Sequence, residues 1–191
     1  MTGTGDSESL EDAVGQIVRA EADGFASAWR AQIMGLDALT VFALAAEKTS
    51  RIELGTAVVP TYPRHPHSLA MQAATVNVAS GGRLALGVGR SHKIVIEDML
   101  GLSYDKPISH MRDYVSVLRG LLDGGNCSVD GAAYKVSASV GVKDASPVPI
   151  LVGALMPRML ELCGELCDGT LTWMSGPKHL AKNVVPVLNG A

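Results

Sequence analysis

The segment from Arg51 to His92 constrains the fold of this chain more than any other stretch. Two nearly continuous apolar runs, 52–59 and 83–88, are typical of parallel strands that are covered on both faces. Between them, apolar and small residues recur at the spacing of a helix face. These residues are Leu69, Ala73, Val76 and Ala79 or Ser80. The segment therefore predicts one βαβ unit, and with it a parallel sheet.

The second of these strands ends in small residues, with the sequence Gly-Val-Gly-Arg-Ser-His at 87–92. Glycines leave backbone amides bare, so that an anionic group can approach them. Because α/β folds bind their ligands at the carboxyl ends of parallel strands, we expect a ligand site here. A Rossmann dinucleotide fingerprint is disfavoured, since its third glycine would fall at His92.

Strand and helix patterns continue on both sides of this unit. Ser9 and Asp12 resemble a capping box in front of an amphipathic helix, which Gly24 ends. A strand at 25–29 and a helix capped by Asp37 follow. Further along, the patterns predict an irregular segment at 93–106, a helix from Pro107, a strand at 148–153, a helix at 157–167, a strand at 170–174 and a helix at 177–188.

This order predicts an α/β fold of the (β/α)8 TIM-barrel type that is incomplete, with about five of the eight strands, the second to the sixth, and their helices. We expect a single partial barrel domain over residues 1–191. Residues 126–142 alternate in polarity around Asp130-Gly131, which predicts a hairpin outside the repeat. The open sheet would have two exposed edges. Either a homodimer covers them, or the chain is a fragment of a longer protein.

Composition excludes several classes of partner. The net charge of −3 comes with no basic stripe, which argues against nucleic acid. No apolar run approaches the roughly 20 residues that span a bilayer, and the start of the chain is polar. Three cysteines, Cys127, Cys163 and Cys167, cannot pair completely, which favours a reducing compartment, the cytoplasm. His65 and His67 lack further ligands at metal-binding spacing, so a capping or solvated role is expected and no metal.

Motifs in four places carry a resemblance to a known family. They lie at 19–25, at 51–58 with 64–66 just after it, at 82–89 and at 154–169. Their order and spacing over residues 9–188 resemble the bacterial luciferase-like superfamily, specifically its coenzyme F420-dependent oxidoreductases. The resemblance implies a TIM barrel whose cofactor lies at the carboxyl ends of the strands.

The resemblance also implies roles for particular residues. Thr56, Ala57 and Val58 match a bulge whose strained, often cis, non-proline peptide backs one face of a flat ring system. The family's cofactor tail is held by residues that match Gly89, Arg90 and Ser91, and its phosphate by amides that match Gly153, Ala154, Leu155 and Met156. His92 occupies the position of a proton-transferring side chain in some relatives. Trp29, Gln32 and Trp173 would line the substrate pocket.

The leading hypothesis is therefore an oxidoreductase that transfers a hydride between coenzyme F420 and a small organic substrate. Two alternatives stay open. One is an FMN-dependent luciferase-like monooxygenase, because both ring systems need the same flat pocket and phosphate cradle. The other is a truncated, non-catalytic flavin-binding or interaction module, which the missing strands suggest.

Overall fold

The fold comes from a computed structural model, which describes residues 9–191; the polar start of the chain at 1–8 lies outside the described residues. The first elements are α1 (Leu10–Ala22), β1 (Ser27–Arg30) and α2 (Ala38–Ala46). The Ser9 hydroxyl caps α1 by accepting from the Asp12 amide at 3.1 Å. Asp37 caps α2 in the same way, with its carboxylate 2.8 Å from the Thr40 amide nitrogen. Gly24, at a φ of +87°, follows α1 in the left-handed region that favours glycine.

The central βαβ unit has one more break than its sequence pattern indicates. It consists of β2 (Glu53–Thr56), β3 (Val59–Pro60), α3 (Pro66–Ala79) and β4 (Leu84–Gly89). We predicted one strand over 52–59, but Ala57 and Val58 interrupt it. β2 pairs with β1 and β4, whereas β3 pairs with β4 further along, so the break shifts the chain along its neighbour.

The second half contains α4 (Pro107–Gly124), β5 (Asn126–Asp130), β6 (Lys135–Ser139), β7 (Ile150–Gly153), α5 (Pro157–Leu166), β8 (Gly169–Leu171), α6 (Pro177–His179) and α7 (Val185–Gly190). Two π-helical turns occur, at Val95–Met99 and Leu180–Val184. The irregular segment predicted at 93–106 was therefore wrong in part, because Ile96 is fully buried and anchors the first turn. The last strand is also shorter than predicted and ends before Trp173.

The main sheet is parallel, and its strands follow chain order: β1, β2, β4, β7, β8, with β3 beside β4. The helices α1 to α5 contact each other in the same order. A sheet that never reverses its strand order, with one helix layer on one face, is the arrangement of a (β/α)8 barrel rather than of a doubly wound fold. The structure thus confirms the predicted partial TIM barrel. Across residues 9–191 the sheet is not closed.

The two faces of the sheet differ in side-chain size. The face toward the helices carries branched apolar residues that are fully buried, namely Leu54, Leu84, Leu86, Ile150 and Val152. The register places glycines and one alanine on the opposite, inner face: Gly55, Ala85, Gly87, Gly153 and Gly169. The core therefore lies between sheet and helices, whereas on the inner face the Trp29 ring lies against Gly55 and the Leu171 side chain lies against Gly87.

β5 and β6 form an antiparallel hairpin between α4 and β7. The Asp113 carboxylate of α4 accepts hydrogen bonds from the turn, from the Ala133 amide at 2.6 Å and the Tyr134 amide at 3.2 Å. This anchor packs the hairpin against α4. No helix within residues 9–191 is long and apolar enough to cross a membrane.

Candidate functional site

Three segments proposed from the sequence meet at the side chain of Val58. A β-carbon on Gly89 would collide with this side chain, and one on Gly153 would lie 3.4 Å from Val58 Cγ1. Gly89 and Gly153 end β4 and β7, which are neighbours in the sheet, and Val58 lies in the interruption between β2 and β3. The interruption after β2, the loop after β4 and the end of β7 therefore meet at one place, and this close approach requires glycine at 89.

The backbone around Val58 is fixed by its neighbours. The Ala57–Val58 peptide bond is cis. The Ala57 amide donates to the Arg30 carbonyl at 2.8 Å, and the Gln32 amide donates to the Val58 carbonyl at 3.3 Å. Ala57 and Val58 are half-buried, so one face of this peptide segment is available to a ligand.

The side chain of Thr56 is used within the sheet. It is fully buried, and its hydroxyl both accepts from the Gly87 amide and donates to the Gly87 carbonyl, each at 2.8 Å. These bonds replace part of the backbone ladder between β2 and β4. Thr56 can therefore take part in a site only through its backbone.

The loop after β4 starts beside Val58 and ends at the surface. The Gly89 carbonyl accepts from the Thr61 amide at 2.9 Å. Arg90 is half-buried, and Ser91 has a φ of +61°, which is uncommon for a residue other than glycine. His92 is exposed, and its carbonyl accepts from the Val95 amide at 3.0 Å.

The start of α5 offers amide donors, although fewer than expected. The Ala154 amide donates to the Leu171 carbonyl at 3.1 Å, so it is already used within the sheet. Met156 is the N-cap of α5 and makes no side-chain capping bond within the described part of the chain. Leu155 and Met156 are exposed. The helix start beyond Ala154 can thus receive an anion.

The three proposed pocket residues lie in different places. The Trp29 ring covers Gly55, where a β-carbon would collide with it, and Trp29 Nε1 donates to Ser27 Oγ at 2.9 Å. Gln32 Oε1 accepts from the Ala38 amide at 3.3 Å. Trp173 is 63% exposed and follows β8, on the opposite edge of the sheet from Trp29. Trp29 and Gln32 therefore adjoin the Val58 segment, whereas Trp173 lies at the far rim.

Sequence reasoning missed a polar cluster that joins the start of α2 to α3. Arg64 pairs with Asp37 at 2.6 Å and donates to Gln72 Oε1 at 2.9 Å. Partial burial raises the pKa of Asp37, but the hydrogen bonds from Arg64 and Thr40 outweigh it and hold that pKa below its usual value. Asp37 was predicted only as a helix cap; its spacing from Arg64 in the chain gave no signal of the pair.

Metal and disulfide chemistry find no support in residues 9–191. No group of three His, Cys, Asp or Glu residues there could hold a metal ion. His65 Nδ1 accepts from the His67 amide at 3.2 Å, so His65 caps α3 as expected. The three cysteines are free thiols.

The surface fits a flat cofactor with an anionic tail. On the inner face, Gly55 and Gly89 let the Trp29 ring and the Val58 side chain lie directly against the sheet. A half-buried arginine and a helix start without a side-chain cap lie at two of the strand ends. Small backbone-lined surfaces beside positive groups are the usual cradle for phosphate-bearing rings.

Comparison with known proteins gives relatives that match most of this chain. It is 33% identical over 173 residues to the 5,10-methylenetetrahydromethanopterin reductase of Methanolobus tindarius, covering 90% of this chain and 53% of the relative. It is 40% identical over 141 residues to the enzyme of the same name from Archaeoglobus fulgidus, covering 73% of this chain and 41% of that protein. The chain thus spans about half the length of these relatives.

A solved structure is also similar to this chain. The coenzyme F420-dependent tetrahydromethanopterin reductase from Methanopyrus kandleri superposes with a TM-score of 0.82 at 29% identity, over 96% of this chain and 57% of that one. The family model described as luciferase-like monooxygenase matches residues 1–189. This chain therefore belongs to the luciferase-like monooxygenase family, as its motifs predicted.

Proposed function

We propose that this chain supplies the cofactor-binding side of an oxidoreductase that transfers a hydride between coenzyme F420 and a small organic substrate. The observation that carries the proposal is the meeting of three strand-end segments at Val58, with glycines at 89 and 153. The similar structure from Methanopyrus kandleri, whose name includes coenzyme F420, supports this choice of cofactor.

The residues divide into three proposed roles around the cofactor. The backbone of Thr56, Ala57 and Val58 supports one face of the ring, since the Thr56 side chain is committed to Gly87. Residues Gly89, Arg90 and Ser91 hold the tail. The end of β7 and the start of α5, residues 153–156, receive the phosphate, with the Ala154 amide excluded from this role.

The remaining roles concern the substrate. When bound, F420 supplies a ring carbon that gives or accepts a hydride. Trp29, Gln32 and Trp173 would orient the substrate over that ring. His92 would hold or release a proton at an imidazole nitrogen, because it is the exposed titratable group nearest the end of β4.

The test is a titration of the purified chain with F420 and, separately, with FMN, followed by fluorescence quenching. We expect micromolar or tighter binding of F420 and weaker binding of FMN. Turnover assays then start with 5,10-methylenetetrahydromethanopterin, the compound in the names of the two similar reductases. Tighter binding of FMN would favour the monooxygenase alternative, and binding without turnover would favour the non-catalytic module.

Two matched variants sharpen the titration. Arg90→Met removes the half-buried cation beside the site, and we expect about tenfold weaker F420 binding, as for the loss of one charge-assisted hydrogen bond. Lys143→Met removes one exposed cation from the segment between β6 and β7, and we expect no change. Equal effects of both variants would contradict a specific role for Arg90.

We also propose a homodimer in the cytoplasm, without nucleic acid or membrane partners. The first and last strands of the sheet, β1 and β8, leave edges that a second chain can cover. Free thiols are typical of a reducing compartment. Gel filtration with light scattering tests the dimer; a monomer that stays monomeric at high concentration would contradict it.

A further inference from the structure

Three rings from separate segments stack on one another beside the loop that follows β4. Tyr62 follows β3, Tyr104 lies between the first π-helical turn and α4, and His110 lies on the first turns of α4. The centroids of Tyr62 and His110 are 3.9 Å apart with planes 5° from parallel. Those of Tyr62 and Tyr104 are 5.0 Å apart at 25°. We call these three rings the ring stack.

His110 fixes one end of the ring stack. It is buried, and its Nε2 lies 2.9 Å from Thr61 Oγ1. Burial lowers the pKa of His110 to about 4, although Asp113 opposes this. The imidazole is therefore neutral near pH 7, and it stacks without introducing a buried charge.

Tyr62, in the middle, acts through its ring alone. Burial raises the pKa of its hydroxyl to about 12, so the side chain is neutral. This buried hydroxyl has no hydrogen-bond partner among residues 9–191. Its contribution within the protein is therefore the two faces of the ring.

The ring stack is tied to the loop after β4 at two carbonyl groups. The Thr61 amide donates to the Gly89 carbonyl at 2.9 Å, and the same residue's hydroxyl contacts His110. The Tyr104 hydroxyl donates to the Ser91 carbonyl at 3.3 Å. Arg90 lies between these two points, and Ser91 is held in the left-handed region.

We propose that Tyr104 is the positioning residue for the cofactor-binding loop at 89–91, and that the rings of Tyr62 and His110 only hold the Tyr104 ring in place by stacking. A left-handed serine persists only when its surroundings enforce it. The hydroxyl of Tyr104 supplies that constraint, because the stack fixes the ring that carries it. The loop then presents Arg90 to the anionic tail before the ligand arrives, which removes an ordering cost from binding. This inference rests on the proposed function.

Two variants that each delete one hydroxyl from a stacked ring test the proposal. Tyr104→Phe keeps the ring and loses the bond to Ser91, and we expect about fivefold weaker F420 binding, as for one neutral hydrogen bond. Tyr62→Phe removes a hydroxyl without a partner, and we expect binding within about twofold of the native chain. Thermal unfolding checks that both variants stay folded.

Hydrogen exchange of the free protein gives a second readout that needs no ligand. The amides of residues 90–93 should exchange faster in Tyr104→Phe and at the native rate in Tyr62→Phe. Native exchange and native binding in Tyr104→Phe would overturn the inference. Equal loss of binding in Tyr62→Phe would also overturn it, because the Tyr62 hydroxyl would then contact the ligand itself.

The two proposals fail in different ways. If the native chain binds neither F420 nor FMN, the proposed function fails. The exchange comparison then decides by itself whether the ring stack holds the loop.

Discussion

The amino and carboxyl ends of the parallel strands use polar groups in opposite ways. At the amino ends, charged side chains bind the backbone of neighbouring segments. The Arg83 guanidinium donates to the carbonyls of Ser80, Ile52 and Thr49 at 2.6, 2.8 and 2.9 Å. Glu21 accepts from the amides of Ser50, Arg51 and Ile52 at 2.8–3.1 Å. These groups join one strand start to the next.

At the carboxyl ends, polar groups and apolar side chains are left available. Arg90 is half-buried, His92 is exposed, and Met156 and Trp173 are 66% and 63% exposed. In barrels of this type the amino-terminal face serves stability and the carboxyl-terminal face serves binding. The comparison separates residues whose loss should unfold the protein from those whose loss should affect only the ligand.

The largest expected effect on stability comes from a change on the inner face of the sheet, between the amino and carboxyl ends of the strands. A β-carbon on Gly87 would collide with the Thr56 carbonyl oxygen and with the Leu171 side chain. Gly87→Ala should therefore lower the free energy of unfolding by about 3 kcal/mol, because a backbone atom cannot move aside cheaply. Urea unfolding measures this. Gly141→Ala is the control, since its β-carbon would meet no atom of residues 9–191 beyond its chain neighbours within 4 Å; equal stability of the two variants would contradict the prediction.

The second effect concerns the amino ends. Arg83→Met leaves the carbonyls of Ser80, Ile52 and Thr49 without their charged donor, and we expect a loss of about 2 kcal/mol in the free energy of unfolding. Arg83→Lys should recover only part of it, because an ammonium cannot reproduce the fork of donors. Binding of F420 by the folded fraction should be unchanged. If fully folded Arg83→Met bound F420 more weakly than the native chain, the amino ends would also serve binding. The distinction between the two ends of the strands would then not hold.

A third, smaller effect depends on pH. Hydrogen bonds from the backbone amides of Ile52 and Arg51 lower the pKa of Glu21 from 4.5 to about 2. A depressed carboxylate pKa stabilises the fold above the unfolded pKa, and this contribution is lost as the pH falls from about 4.5 toward 2. Glu21→Gln should therefore have a lower free energy of unfolding than the native chain at pH 7. This difference in stability should disappear as the pH falls from about 4.5 toward 2. A gap that stays constant from pH 7 to pH 2 would exclude this cause.

The smallest effect on stability is expected at the carboxyl ends. His92→Gln changes an exposed side chain, so the free energy of unfolding should stay within about 0.5 kcal/mol of the native value. If His92 transfers a proton, turnover should fall by about a hundredfold, while F420 binding is kept. Unchanged turnover would remove His92 from the mechanism.

Local patterns predicted the elements of this fold well. Caps at Ser9 and Asp37 and the glycine at 24 placed helix ends within a few residues, because these signals act between neighbours in the chain. Periodicity missed the break at 57–58, where only the resemblance implied a bulge, and it also missed the π-helical turn at Val95–Met99. Both depend on packing against distant segments, which hydrophobic periodicity does not record.

The sequence by itself determined the parallel strand–helix repeat, its incomplete barrel type and its family, since periodicity, caps and motifs are properties of the chain order. Only the tertiary structure decided that Val58 fills the space above Gly89 and beside Gly153, and that Tyr104, Tyr62 and His110 stack. It also decided that the Thr56 hydroxyl and the Ala154 amide are already bonded. These contacts join residues far apart in the chain, and their geometry depends on strand register and helix packing, which no local signal encodes.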